Sequence, residues 1–224
     1  MHDVNNVHLH ASEDDFFVFY KPAGVSFHSE QCAGFVVLAE ELVNEKLYPV
    51  HRLDKVTSGL IILARNKEAA AEFTSLFSDH KINKFYLAVS DAKPKKKQGW
   101  IKGDMQKSRR GAFKLLKSQT NPAITRFYSK SIRPGLRAYL LKPFSGKTHQ
   151  LRVAMKSLGA PILGDSTYAG SKDERTNLHA YALQFSYQEQ LKEYRCDYTL
   201  GTHLNEVFNS DEFKEWTAPW TLDW

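Results

Sequence analysis

Residues 51–65 read HRLDKVTSGLIILAR and hold the acid best placed for chemistry in this chain. Asp54 stands between Arg52 and Lys55, is followed by Thr57-Ser58-Gly59, and precedes an apolar run. A carboxylate held beside an arginine suits a reaction that needs one permanently ionised acid and no metal. Burial would raise its pKa, and a guanidinium within about 4–6 Å opposes that rise. Arginine suits this better than lysine, because its planar fork matches a carboxylate with two hydrogen bonds. The commonplace reading of Asp54 is a turn acid closing the segment ahead of a strand.

Other chemistries find little support. None of the nine histidines falls in a zinc-ligand spacing, and His8 and His10 lie in a polar N-terminal stretch. No phosphate-cradling glycine loop or DxD pair supports a phosphohydrolase with an aspartate nucleophile. Cys32 and Cys196 are far apart and belong to no CxxC pair, so both are expected to be free thiols in a reducing compartment. No apolar run approaches the roughly 18 residues of a membrane span. The N-terminus, MHDVNNVHLHASEDD, has neither the basic start nor the apolar stretch of a signal peptide, and a cytoplasmic location is expected. A net charge of +6 and a pI near 9.1 are compatible with a polyanionic partner without requiring one.

The elements that must position these residues can be read in outline. Residues 16–20, FFVFY, read as a strand ending in the turn Lys21-Pro22-Ala23-Gly24. Phe35, Leu38, Leu42 and Val43 recur at helical spacing. Residues 59–64, GLIILA, predict a strand buried on both faces. Asn66 and Glu68 open a helix whose apolar stripe is Ala69, Ala70, Phe73, Leu76 and Phe77. Residues 84–90 and 136–142 predict strands, and 91–118 reads as a polar, lysine-rich, exposed excursion. Leu151, Ala154, Met155 and Leu158 predict a helix from Thr148, stopped by Gly159 and Pro161. Residues 178–187 alternate as a strand. The layout expected is residues 1–15 as an N-terminal tail, 16–204 as the catalytic domain, and 205–224 as a docked segment carrying Phe213, Trp216, Trp220 and Trp224. Interspersed strands and helices without strict βαβ order argue for an α+β fold.

Six segments in order resemble the RluA-type family of RNA pseudouridine synthases. They are Lys21-Pro22-Ala23-Gly24-Val25, the stretch around Asp54, Lys84-Phe85-Tyr86-Leu87-Ala88, Phe144 to Arg152, Gly159 to Tyr168, and Leu178-His179-Ala180. The resemblance implies a mixed, largely antiparallel central sheet flanked by helices, with two lobes and a basic catalytic cleft. It implies uridine isomerisation in structured RNA, a tRNA or ribosomal RNA stem-loop, by a compact monomer lacking an N-terminal RNA-binding domain. Asp54 is then the catalytic acid, Tyr86 the ring that stacks on the uracil, and Arg152 the partner of Asp54. Arg52 fills the gap left by the extruded base, and Leu151 packs near that base. His51, Thr57, Lys84, Lys147, His149 and Gln150 join the RNA-binding set, with His149 and Gln150 read as structural more than catalytic. Lys147 stands where the family usually has arginine, keeping the charge but losing the fork.

The implied chemistry is consistent with the residues. The reaction breaks the bond from sugar to uracil nitrogen, turns the base over and rejoins it through carbon. No oxidation state changes and no group is lost, so no cofactor is expected. Positive charge building on the sugar ring is stabilised by an ionised carboxylate, as in glycoside hydrolysis. The base must be flipped or already unpaired, at a cost of a few kcal/mol. Lys93, Lys95, Lys96 and Lys97 are expected to touch phosphates. A competing reading is a catalytically silent RNA-binding or ribosome-assembly factor on the same fold. The presence of Asp54, Tyr86 and Arg152 together argues against it.

Overall fold

The structure is a computed structural model and describes residues 7–30, 32–198 and 201–224. In chain order the elements are β1 (His8–Ser12), β2 (Phe16–Lys21), α1 (Phe35–Val43), β3 (Tyr48–Pro49), β4 (Ser58–Ala64), α2 (Lys67–Ser78) and β5 (Asn83–Ser90). Then come β6 (Gln98–Gly103), β7 (Met105–Lys107), β8 (Phe113–Leu115), β9 (Ala123–Arg133), β10 (Leu136–Pro143), α3 (Gln150–Ser157), β11 (Leu178–Tyr187), β12 (Gln190–Arg195) and α4 (Thr202–Phe208). They form two compact units. The first is Met1–Asn83 with His179–Thr199, the second Lys84–Leu178 with Leu200–Trp224.

In the first unit β4 is buried at every position, as an apolar run without alternation requires. It pairs antiparallel with β2, from Phe16 opposite Ala64 to Lys21 opposite Gly59, and parallel with β11 at Ser58 and Gly59. Asn66 caps α2 by accepting from the Ala69 amide at 2.7 Å. The helix lays Phe73 into an aromatic core, flat on Tyr187 at 5.0 Å and edge-on to Phe16 at 4.9 Å. His8–Ser12, expected in a tail, instead form the strand β1 against β2. Their polar composition is that of an edge strand with solvent on its outer side.

The second unit is an antiparallel set in the order β5-β10-β9-β6, with the hairpin β7–β8 beside it. The stretch 91–118 is therefore only partly an excursion: Ile101 and Gly103 of β6 are buried. Its alternation is hidden in the sequence because two of its six residues are glycines and Lys102 is exposed. α3 runs over the core formed by Phe127, Tyr139, Leu141 and Ile162, and Gly159 ends it with φ 79°. The C-terminal segment belongs to this unit. Phe213 and Trp216 are buried, and Trp224 lies 5.4 Å from the Phe85 ring. The Lys142 ammonium sits 5.1–5.6 Å from the rings of Phe85, Phe144 and Trp224, a cation–π contact that ties this tail down. Among the described residues no helix is long and apolar enough to cross a membrane.

Candidate active site

In the first unit the loop between β3 and β4 carries His51, Arg52, Asp54 and Thr57, and it is pinned at several points. The Ile62 amide donates to His51 Nε2 at 2.8 Å, which puts the neutral ring's proton on Nδ1. The same ring stacks on Phe77 at 4.4 Å. The Thr57 amide donates to the Asp54 carbonyl at 3.0 Å and closes the turn that aims the carboxylate. The Gly24 amide donates to the Lys55 carbonyl at 2.7 Å.

Lys21 explains how the early KPAGV segment serves this loop. Its side chain is fully buried at the end of β2. Its ammonium donates to the carbonyls of Pro22 and Val25 at 2.9 Å and to that of Lys55 at 3.3 Å. A buried cation is tolerable when its protons are used this way, and here it joins two loops by their backbones. Below them, Ser58 donates to His179 Nδ1 at 2.8 Å, and His179 Nε2 donates to the Cys196 carbonyl at 2.8 Å. Gly59 has φ 114°, and a Cβ there would sit 2.2 Å from the Ala180 carbonyl oxygen, so only glycine lets β4 and β11 approach this closely.

In the second unit Lys147, His149, Gln150, Leu151 and Arg152 gather at the start of α3. His149 occupies the position before the helix with a left-handed backbone, φ 57° and ψ 17°. Its Nδ1 lies 2.9 Å from the Tyr168 hydroxyl, which also accepts from the Phe113 amide at 3.0 Å. Arg152 is buried, and its Nε and Nη2 donate to the two carboxylate oxygens of Asp165 at 2.7 and 2.8 Å. The guanidinium carbon lies 5.0 Å from the Tyr168 ring centre. Tyr86 sits on β5 opposite Leu141, half-buried against the core, with Lys84 on the same strand face. Burial lowers the Lys84 pKa from its ordinary value.

Two of the expected RNA contacts have most of their surface inside the protein. Gln150 is buried, and its amide is spent inside the protein. Its oxygen accepts from Ser145 and the Lys147 amide, and its nitrogen donates to the Ile124 carbonyl and Thr125. It therefore shapes the loop before α3. Leu151 faces the apolar core with 7% exposure, leaving little surface for a base. By contrast Arg52 is exposed, 6.0 Å from the Phe27 ring, and Lys93, Lys95, Lys96 and Lys97 lie exposed on the β5–β6 loop. Lys147 donates to Asn121 at 2.8 Å. Asp165 and Lys21 are the residues that sequence reasoning passed over. Both lie inside segments that carried the resemblance, but nothing in their spacing reveals their partners.

A family model described as RNA pseudouridylate synthase matches residues 15–157. An uncharacterized RNA pseudouridine synthase of Haemophilus influenzae is 53% identical over 198 residues, covering 87% of each chain. Ribosomal large subunit pseudouridine synthase C of Rickettsia bellii is 32% identical, covering 91% of this chain and 72% of that one. The structure of human RNA pseudouridylate synthase domain-containing protein 4 superimposes with a TM-score of 0.74 at 23% identity, over 89% of this chain and 91% of that chain. That likeness fixes the α+β pseudouridine synthase fold. The chain belongs to the RNA pseudouridylate synthase family. It isomerises uridine to pseudouridine in RNA.

Proposed function

We propose that the target uridine lies in a structured stem-loop of tRNA or ribosomal RNA, and that Asp54 is the carboxylate that carries the reaction. Large-subunit ribosomal RNA is the favoured class, because relatives of this chain are named for it. The observation that carries the assignment of Asp54 is the anchoring of its loop by the buried Lys21 ammonium and by His51. A carboxylate that must act on a sugar carbon has to be held still, and backbone contacts of this kind fix the loop that carries it. Tyr86 offers a ring face for the flipped uracil, and Arg152 is the active-site cation. Arg52 fills the space the base leaves. The four lysines of the β5–β6 loop supply phosphate contacts, in the cytoplasm of the cell.

The test has two parts. Pseudouridines are mapped chemically in total RNA from cells with and without this gene, which identifies the position. Asp54→Asn is then assayed by tritium release from RNA labelled at uracil carbon-5. The substitution keeps the shape and removes the charge, so isomerisation is lost while RNA binding persists. Turnover within about tenfold of the unaltered protein would exclude Asp54, since an essential transition-state charge is worth more than that.

A further inference from the structure

We infer that Asp165 is a positioning residue, acting on the reaction by holding the Arg152 guanidinium in one fixed orientation. The inference rests on the proposed role of Arg152 as the active-site cation. Both side chains are almost fully buried, 5% and 1% exposed. The carboxylate grips the edge of the guanidinium formed by Nε and Nη2, which fixes rotation of the fork within its own plane. The Tyr168 ring fixes its tilt. Tyr168 is itself held, because its hydroxyl accepts from the Phe113 amide of β8 and meets His149.

The backbone at Asp165 is equally constrained. Its amide donates to the Ile162 carbonyl at 3.0 Å, and its carbonyl accepts from Gly170 at 2.9 Å. The preceding Gly164 has φ 81°, and a Cβ there would fall 1.8 Å from the Arg175 carbonyl oxygen. The carboxylate is thus delivered by a loop that has no room to shift.

Stability alone does not account for this arrangement. Replacing a buried ion pair by apolar residues of similar volume is often neutral or stabilising. What an apolar pair cannot do is present a charged, planar fork at a defined angle. A guanidinium that wanders by about 1 Å loses much of its use in a preorganised site.

The experiment measures single-turnover isomerisation at saturating enzyme. The substrate is carbon-5-tritiated total RNA from cells lacking the gene. Asp165→Asn is expected to lower the rate constant by roughly 10- to 100-fold at full amplitude and unchanged RNA affinity. In an Arg152→Met background, Asp165→Asn is expected to cause no further fall, because nothing is left to position. A rate constant equal to that of the unaltered protein overturns the inference. So does a loss confined to amplitude, which marks misfolded enzyme, and so does an additive loss in the Arg152→Met background. If Asp165→Asn does not fold, Asp165→Glu replaces it. That variant keeps the charge but displaces the fork, and is expected to show the same lowered rate constant at full amplitude. Failure of both to fold overturns the inference, since Asp165 would then be a determinant of the fold. An inactive Asp54→Asn beside a fully active Asp165→Asn sinks only the positioning role. An unaltered protein that modifies no RNA removes the functional reading, and this inference with it.

Discussion

Gly59→Ala tests the geometry beneath the Asp54 loop more directly than any change to the acid itself. Gly59 sits where β4 pairs with Lys21 of β2 on one side and Ala180 of β11 on the other. An added Cβ would lie 2.2 Å from the Ala180 oxygen and 2.6 Å from its nitrogen, against ordinary contact beginning near 3.4 Å. Two buried backbones must part by about 1 Å, an overpacking cost of about 1–3 kcal/mol. The backbone at φ 114° adds strain of about 1–3 kcal/mol for any residue with a side chain. Reduced freedom of the unfolded chain returns only about 0.4–1 kcal/mol. The net destabilisation is about 2–5 kcal/mol, which for a chain of this size lowers Tm by about 5–15 °C. Gly135→Ala is the control: its φ is 73° and nothing lies within 4 Å of the added Cβ, so it carries strain alone, about 1–2 kcal/mol. Thermal and urea unfolding of both variants measure the difference. Because Ser58 and Thr57 lie immediately upstream, the isomerisation rate of Gly59→Ala should fall as well. A Gly59→Ala protein that melts within about 2 °C of the unaltered one would refute the close parallel approach of β4 and β11.

Two further outcomes follow from charge and burial. Changing Lys93, Lys95, Lys96 and Lys97 to Gln should weaken RNA binding at low salt. It should also flatten the salt dependence by about 0.7–0.9 log units for each phosphate that a lysine had neutralised. The single-turnover rate should hold; an unchanged slope would show the run to be a solvated loop. Exposed Cys32 should react with iodoacetamide in the native protein, whereas Cys196, whose thiol burial pushes up to about 11, should react only on unfolding. The folded state holds that proton more tightly than the unfolded one. Its contribution, roughly 2–3 kcal/mol, is therefore complete below pH 9 and is lost as pH rises through about 11. Alkylation of both thiols at equal rates, or a stability flat across that interval, would contradict the burial.

Much of the fold was legible because its strongest elements carry local signals. β4 announces itself as an apolar run buried on both faces, α2 by the Asn66 cap and its stripe, and α3 by its spacing and the glycine that stops it. β1, β6 and β9 were missed, since edge strands and strands with lysine on one face give weak alternation. The candidate loop was legible as a cluster of residue types around Asp54. Which of its neighbours serve the RNA and which serve the fold was not. Gln150 looks like a polar contact in sequence, yet its amide is consumed by four bonds, two to the loop before α3 and two to β9.

The devices hardest to read are the buried charges, and the reason is physical. A buried Lys or Asp survives only through partners that satisfy it, and those partners lie far away in the chain or on the backbone, where residue identity carries no signal. Lys21 reaches the carbonyl of Lys55 across 34 positions. Asp165 reaches Arg152 across 13, from a loop to a helix. A buried ion pair such as Arg152–Asp165 is not a strong stabiliser of the fold by itself. Each of the two interactions instead removes freedom from a segment that carries a proposed active-site residue, the Asp54 loop in one unit and the Arg152 fork in the other. Lys21 and Asp165 give their charges to holding a backbone and a fork in place.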